Sequence, residues 1–349
     1  MSRAKPTITD VARRAGVSRS AVSRVMNNEP GASGPVREAV RRAMAELGYV
    51  PSQTARALAS GRQRAVDVVA FTNGPVIGWL ASHPYYSRVL AGVTSALQGT
   101  DVQVRVQALT PTDATAGSRS AVDRAADELV AVVDRIAVGA TVGAVLTDVP
   151  PAIALRFQEK FRRVVSLAAT SAVVPTIEAD NAGGVYTAVE YLHGLGRRHI
   201  AAIHGPASSA DARDRRTGYL RAIDRLGLSE ISDGGDFRRE DGFEAAHRLL
   251  TTHPQIDAIV VACDLMAAGV VQAITASGRT VPYDVSVIGF DDSVAAVCAN
   301  PPLTTMRMPV EEMAVAATRL LLDGAVTPGF RQTFPVELVV RDSTTPRTL

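Results

Sequence analysis

Apolar residues recur every three or four positions in the first fifty residues, which is the period of an amphipathic helix. The first predicted helix begins at a cap pattern that opens at Thr7, and it ends before Gly16. A second helix runs from Ser18 to about Met26, and a third opens at Ser33. Their apolar faces carry Ile8, Val11, Ala12, Ala15, Val22, Val25, Met26, Val36, Val40, Met44 and Leu47. The pattern predicts three short helices around one small core, with the polar stripe of the second helix outside it.

After Arg64 the pattern changes to short apolar runs that alternate with longer amphipathic stretches. The predicted strands are Asp67–Phe71, Val102–Leu109, Val142–Thr147, Arg163–Leu167, Ile200–His204, Ala258–Ala262 and Ser286–Phe290. The predicted helices are Pro84–Leu97, Ser120–Ala137, Gly183–Leu195, Asp211–Leu226, Arg239–Thr252, Leu265–Ser277 and Val310–Leu322. Alternating strands and helices predict parallel sheets that are covered on both faces.

The alternating elements fall into two groups that divide near Val174 and Pro175, which predicts two sheets and two lobes. Ligands of such folds bind at the carboxyl ends of the strands, here between the lobes. We therefore expect a head over residues 1–50 and a hinge and linker over 51–62. We expect an N-terminal lobe from 63–175 and 307–332, and a C-terminal lobe from 176–306 and 333–349.

Charge is distributed unevenly between the head and the body. Residues 1–64 hold twelve Lys or Arg and four Asp or Glu, a net of +8, whereas the rest has a net of −6. The excess is confined to the head, so a general richness in arginine does not explain it. A basic head favours a phosphate backbone as its partner, with binding that weakens as salt rises.

Length and composition limit the remaining classes. The 349 residues suffice for a head and a larger α/β body, at roughly 100–200 residues per domain. Residues 1–25 lack a signal pattern and no run reaches the ~18 apolar residues of a membrane helix, so we expect a cytoplasmic protein. Cys263 and Cys298 are expected to be reduced thiols, and the six histidines lack metal-type pairing. We expect neither a metal nor another cofactor.

A series of short motifs extends over nearly the whole chain. In the head and hinge they are Thr7–Ala12, Ala15–Ser18, Val22–Asn27, Leu47–Pro51 and Ala55–Leu58. In the body they are Asp180–Gly184, Leu195–Ile200, Arg215–Tyr219, Asp264–Ala267, Gly289–Ser293, Pro301–Thr305 and Glu337–Ser343. Together these motifs resemble the LacI/GalR family of transcriptional regulators. The resemblance implies a helix-turn-helix head, a hinge helix and a two-lobed body like that of periplasmic binding proteins.

The resemblance also implies which head residues contact DNA. Arg19, Ser20 and Arg24 occupy the positions of the second helix that reach base edges, and arginine suits guanine. The side chains suited to phosphates, which fix the register, are Thr7, Ser18, Ser23 and Asn27. In the hinge helix, Ala55 and Leu58 match the wedge that enters the minor groove. A helix this short is expected to order only on DNA and in a dimer.

In the body the resemblance implies a small-molecule effector between the lobes. The matching positions are Tyr86, Arg215, Phe237, Cys263, Asp264 and Asp291. Three positions depart from the family: Cys263 replaces an Asn, Ala168 an Asp, and His83 the Asn of an Asn-Pro-aromatic motif. Each change removes a group that binds hydroxyls. A sugar, a modified sugar, an acid and a less polar metabolite therefore all remain open as ligands.

The sequence favours a homodimeric repressor that binds a near-palindromic operator under the control of an effector. A tetramer is not expected, because the C-terminal end lacks leucine heptads. A solute-binding protein of periplasmic type is the alternative, and the basic head argues against it. An enzyme is disfavoured because the sequence lacks a Gly-x-Ser-x-Gly motif, a phosphate-binding loop and paired cysteines. Whether the effector induces or corepresses stays open.

Overall fold

The computed structural model describes residues 6–26, 31–47, 49, 64–71, 83–109, 132–133, 136, 141–168 and 170–346. The chain divides into two compact units, residues 1–64 and 65–349, which are called the head and the body below. The predicted hinge over 51–62 and most of the predicted helix Ser120–Ala137 lie outside the described residues.

The head consists of α1 (Ile8–Ala15), α2 (Arg19–Met26) and α3 (Gly34–Leu47). The predicted cap of α1 is present, because the amide of Asp10 donates to the Thr7 hydroxyl while the Asp10 carboxylate accepts from the Thr7 amide. Gly16 ends α1 with a φ of 68°, a left-handed conformation that glycine adopts without steric cost. The fully buried core side chains are Val11, Ala12, Val22, Val40, Ala43 and Tyr49.

The body contains two six-stranded sheets, as the alternating pattern predicts. The first sheet is parallel throughout, in the order β11-β5-β4-β3-β1-β2. Its strands are β1 (Ala65–Phe71), β2 (Gln103–Leu109), β3 (Thr141–Thr147), β4 (Val164–Ser166), β5 (Thr176–Ala179) and β11 (Arg331–Phe334). Its helices are α4 (Pro84–Leu97), α5 (Pro151–Phe161) and α11 (Val310–Asp323).

The second sheet has the order β12-β10-β9-β8-β6-β7 and is parallel except that β12 runs antiparallel to β10. Its strands are β6 (Ile200–His204), β7 (Ser232–Gly234), β8 (Ala258–Val261), β9 (Ser286–Asp291), β10 (Thr304–Arg307) and β12 (Glu337–Val339). The accompanying helices are α6 (Asn181–Gly194), α7 (Ala210–Leu226), α8 (Arg239–Thr252), α9 (Asp264–Ala276) and the short α10 (Val294–Cys298).

The chain crosses between the lobes three times, and one crossing differs from the predicted boundary. We expected the C-terminal lobe to begin at residue 176, but β5 pairs with β4 and β11 in the first sheet. Pro175 therefore ends a loop between neighbouring strands, and the chain crosses only at Asp180, which caps α6. The other crossings follow β10 and β11. In both sheets the strand order reverses beside the first strand, which opens a crevice at the carboxyl ends.

Candidate functional site

The second helix of the head turns one face inward and one outward. Val22 is fully buried in the small core, whereas Arg19, Ser20 and Arg24 are exposed. The Ser18 hydroxyl accepts from the amide of Ala21 at 3.1 Å, so it caps the helix as predicted. A short helix anchored at its cap and by its buried face can present the opposite face to a flat or grooved partner.

The other predicted DNA-contact residues differ in exposure, and some of them lie outside the described residues. Thr7 and Ser18 are exposed at the starts of α1 and α2, and Ser23 is half-buried on α2. Both Thr7 and Ser18 use their hydroxyls in capping, so their side chains are held in place at two helix N-termini. Helix N-termini are favourable positions for phosphate oxygens. Asn27, Ala55 and Leu58 lie outside the described residues.

A cleft opens in the body where the strands of both sheets end. Its side chains surround about 320 Å³ of space, which includes open solvent at its mouth. The lining residues are His83, Tyr85, Asp148, Ser209, Asp211, Arg215, Phe237, Cys263 and Asp291. They follow β1, β3, β6, β7, β8 and β9, so both lobes contribute to one site. This is the crevice that the predicted α/β topology requires.

Four of the predicted effector residues line the cleft: Arg215, Phe237, Cys263 and Asp291. Tyr86 does not, because its neighbour Tyr85 takes the lining position. The side chain of Tyr86 is buried, and its hydroxyl donates to Asp148 at 2.6 Å. Tyr86 therefore lies one layer behind the wall and holds a cleft carboxylate.

Asp264 also lies behind the wall rather than on it. Its two carboxylate oxygens accept from the Thr305 hydroxyl at 2.6 Å and from the Ser293 amide at 2.7 Å. Burial raises the pKa of Asp264 to about 8, and the nearby charge of Asp291 raises it further in the same direction. Asp264 thus connects the start of α9 to β10 and to the loop after β9.

Arg215 is nearly buried and has partners on all sides. Its Nε donates to Asn181 Oδ1 at 2.8 Å and its Nη1 to the Ala262 carbonyl at 2.5 Å. Its guanidinium carbon lies 3.8 Å from the centre of the Phe290 ring, and its Nη2 is 3.8 Å from an Asp291 oxygen. The guanidinium is therefore fixed in place by the body before any ligand arrives.

Three carboxylates face the cleft, and burial raises the pKa of each of them. The pKa of Asp211 rises to about 7, although Arg215 lowers it in part. The pKa of Asp291 rises to about 6 for the same reason, again opposed by Arg215. Burial also raises the pKa of Asp148. Among the described lining residues Arg215 is the one cationic side chain, and Arg88 also lowers the pKa of Asp291 from outside the lining.

Three ring side chains, His83, Tyr85 and Phe237, also belong to the lining. The ring of His83 lies 6.4 Å from the ring of Phe237 and 6.4 Å from that of Tyr85, both edge-on. Burial lowers the pKa of His83 to about 4, and the charge of Arg215 contributes. At neutral pH the imidazole is therefore uncharged, and this wall adds apolar surface without positive charge.

Strained backbone concentrates at the same place. Asp148, Phe237, Asp291 and Asp292 have φ values of 53°, 60°, 112° and 55°, in the region that favours glycine. Three of them line the cleft, and Asp292 adjoins it. Non-glycine residues persist there only when surrounding contacts hold them, and such strain clusters at functional sites.

Sequence reasoning noted His83 only as a departure from the family motif, and it missed Tyr85, Asp148, Ser209 and Asp211 as cleft residues. A signal was available for two of them. Asp148 directly follows the buried strand β3, and Asp211 lies in the first turn of the helix that follows β6. Polar residues directly after buried parallel strands lie at the edge where ligands bind.

The described residues contain neither a membrane-spanning helix nor a cluster of metal ligands. No helix there is long and apolar enough to cross a membrane. In the same part of the chain, no group of three or more His, Cys, Asp or Glu residues is arranged to hold a metal ion.

Comparison with known proteins finds one family model for the head and another for the body. Residues 7–52 match the model of bacterial regulatory proteins of the lacI family, and residues 189–344 match a periplasmic binding protein-like domain. The transcriptional regulator CelR of Thermobifida fusca is 33% identical over 98% of this chain and 99% of its own. The lactose operon repressor of Escherichia coli K12 is 31% identical over 97% of this chain and 90% of its own.

Solved structures of such regulators are also similar to this chain over nearly its full length. A CelR–cellobiose complex superposes with a TM-score of 0.70 at 31% identity, over 97% of this chain and 99% of that one. A lac repressor dimer bound to operator and an anti-inducer gives a TM-score of 0.70 at 28% identity, with the same coverage. The family model that matches the head and the full-length similarity to these regulators show that this chain belongs to the LacI family of transcriptional regulators.

Proposed function

We propose that this chain is a homodimeric transcriptional repressor that binds a near-palindromic operator through two heads and responds to a small molecule in its cleft. The exposed face of α2 carries this proposal, because Arg19 and Arg24 face outward while Val22 anchors the helix. Relatives support it, since one is named a lactose operon repressor and a related dimer was solved on its operator. One head covers one half-site, so two-fold symmetry in the protein requires near-symmetry in the DNA.

In this proposal Arg19, Ser20 and Arg24 read base edges in the major groove. The residues proposed to bind phosphates are Thr7, Ser18, Ser23 and Asn27. The hinge over 51–62 is proposed to order on DNA, where Ala55 and Leu58 open the minor groove. The net charge of +8 on residues 1–64 supports a strongly salt-dependent contact with the backbone.

The cleft is proposed to be a sensor rather than a catalytic centre, and the protein to work in the cytoplasm. CelR was solved with cellobiose, which supports a small polar ligand here. A ligand that prefers one angle between the lobes shifts DNA affinity, and DNA shifts ligand affinity by the same factor. An inducer weakens operator binding and a corepressor strengthens it, so one titration of operator affinity with ligand distinguishes them.

The base-reading claim is tested with Arg19→Ala and Arg24→Ala in the full chain. Each is expected to weaken binding to a selected operator by about 1–3 kcal/mol, the value of a good bidentate base contact. Binding to a scrambled duplex of equal length should change much less. Arg41→Ala is the matched control, because Arg41 is an exposed arginine of the same head on α3. Equal losses on both duplexes would reduce the arginines to phosphate contacts.

A further inference from the structure

The charges that face the cleft are unbalanced. Asp148, Asp211 and Asp291 line it, whereas Arg215 is the one cationic side chain among its described lining residues. His83 does not correct the imbalance, because burial lowers its pKa to about 4. Burial raises the pKa of all three carboxyl groups because it penalises their ionised forms, and an arriving positive charge stabilises those ionised forms.

Arg215 is poorly placed to bind an anionic ligand. Its Nε and Nη1 donate to Asn181 and to the Ala262 carbonyl, and its Nη2 lies 3.5 Å from the Met308 sulfur. The face of its guanidinium lies against the Phe290 ring. Three of its five N–H groups thus donate to protein atoms, so Arg215 offers an anionic ligand only part of its guanidinium.

The carboxylates keep acceptor capacity on the cleft side. One oxygen of Asp148 accepts from the Tyr86 hydroxyl, and one oxygen of Asp211 accepts from Asn181 Nδ2 at 3.1 Å. The remaining oxygen of each is outside the hydrogen bonds formed among the described residues. Both groups are thus oriented by one oxygen and able to accept a ligand's N–H with the other.

The aromatic part of the lining suits the same kind of ligand. Tyr85 and Phe237 both contribute rings to the cleft. Aromatic faces attract organic cations, and the attraction grows when water is excluded. The rings and the carboxylates are independent features, and both favour a positively charged group that also has some apolar surface.

We propose that the effector is a small organic cation, a protonated amine on a hydroxylated skeleton, held by Asp148, Asp211 and Asp291 against the aromatic wall. This inference rests on the proposed effector role of the cleft. It also accounts for the departures Cys263 and Ala168, since a ligand held by charge depends less on neutral groups that bind hydroxyls.

The test compares three sugars on the full chain by calorimetry at neutral pH. D-Glucosamine carries a protonated amine, N-acetyl-D-glucosamine keeps the skeleton without the charge, and D-glucose lacks the nitrogen. D-Glucosamine is expected to bind at least about tenfold more tightly than either neutral sugar, because charge-assisted hydrogen bonds are roughly twice as strong as neutral ones. Equal binding of all three, or binding of none, overturns the inference.

Two variants test whether the preference for D-glucosamine depends on a carboxylate in the cleft. Asp211→Asn should reduce the preference for D-glucosamine by about tenfold, since one charge-assisted contact is lost. Asp224→Asn should leave it unchanged, because Asp224 is an exposed carboxylate on the same helix α7, away from the cleft. Equal effects of both variants would also overturn the inference.

Failure of this inference and failure of the proposed function give different results. Tight binding of a neutral sugar that shifts operator affinity contradicts the cationic ligand and leaves the repressor proposal in place. Absence of sequence-specific DNA binding by the full chain contradicts the repressor proposal, whatever the sugars do.

Discussion

Arginine is central to both candidate sites, in opposite settings. On the head, Arg19 and Arg24 are both exposed to water on a short helix. In the body, Arg215 is 6% exposed and holds contacts to an amide, a carbonyl and an aromatic ring. The exposed arginines can donate hydrogen bonds to a partner with little cost to the stability of the fold. Arg215 is part of the packed body, so its removal should lower the free energy of unfolding in addition to any effect on ligand binding.

The largest expected effect is therefore that of Arg215→Ala. Removal of this guanidinium breaks its buried ion pair with Asp291 and its hydrogen bonds to Asn181 and the Ala262 carbonyl, and breaking a buried pair typically costs about 3–5 kcal/mol. Chemical denaturation of the full chain should show this loss in the transition of the body. Arg213→Ala is the control on the same helix, because Arg213 is exposed and binds loop carbonyls. Similar small losses in both variants would show that Arg215 is not structural.

Salt should weaken operator binding by the head much more than ligand binding in the cleft. Operator affinity is expected to fall by about 10³ or more between roughly 50 and 200 mM salt, the fall for six or more phosphate contacts. Ligand binding in the cleft should change far less, because buried charges are screened weakly. Both affinities can be measured on the same preparation across one salt series. Parallel slopes would contradict the contrast between exposed and buried charge.

The pH dependence of stability should follow the buried acids. The pKa of Asp211 is raised from 3.8 to about 7, so its stabilising contribution is complete below pH 3.8 and is lost as the pH rises through 7. The free energy of unfolding should then decrease between about pH 4 and about pH 7, by at most roughly 1.4 kcal/mol per unit of raised pKa. Asp211→Asn should flatten this decrease in denaturation curves, whereas Asp224→Asn should keep the parent slope. An unchanged slope in Asp211→Asn would exclude that carboxyl as a cause.

The smallest expected effect concerns a strap between the lobes. Arg88 of α4 donates to the Asp291 carbonyl at 2.7 Å and to the Met308 carbonyl at 2.9 Å, while Glu311 accepts from its Nε and Nη2. Arg88→Lys keeps the charge but loses this fork, at about 1 kcal/mol of stability. Arg319→Lys on α11 is the exposed control. Equal denaturation midpoints for the two variants would show that the strap does not stabilise the body.

The sequence predicted the framework of the fold because the framework follows local periodicity. The bounds of α4 and α8 match the predicted helices, and β6 matches its strand. The cap at Thr7 followed from residue types three positions apart. Full-length similarity to regulators confirmed the family that the motifs indicated.

The cleft was predicted less well, because its lining depends on directions that periodicity does not encode. Tyr85 and Tyr86 are adjacent aromatics, and only the packing of α4 decides which of them faces the cleft. Asp148 lies in the cleft with a left-handed backbone conformation, which the residue types around it do not predict. Asp264 matches a family motif but points to Thr305 and Ser293, so the motif identified the right region and not the contact.

The most direct test of the account is selection of duplexes from a random-sequence pool by the full chain at physiological salt. The account predicts enrichment of a near-palindrome whose half-sites are related by two-fold symmetry. It also predicts a conserved guanine in each half-site whose preference is lost with Arg24→Ala and kept with Arg41→Ala. A pool that is not enriched, or an enriched site without two-fold symmetry, would contradict the proposal that two heads of this chain read an operator.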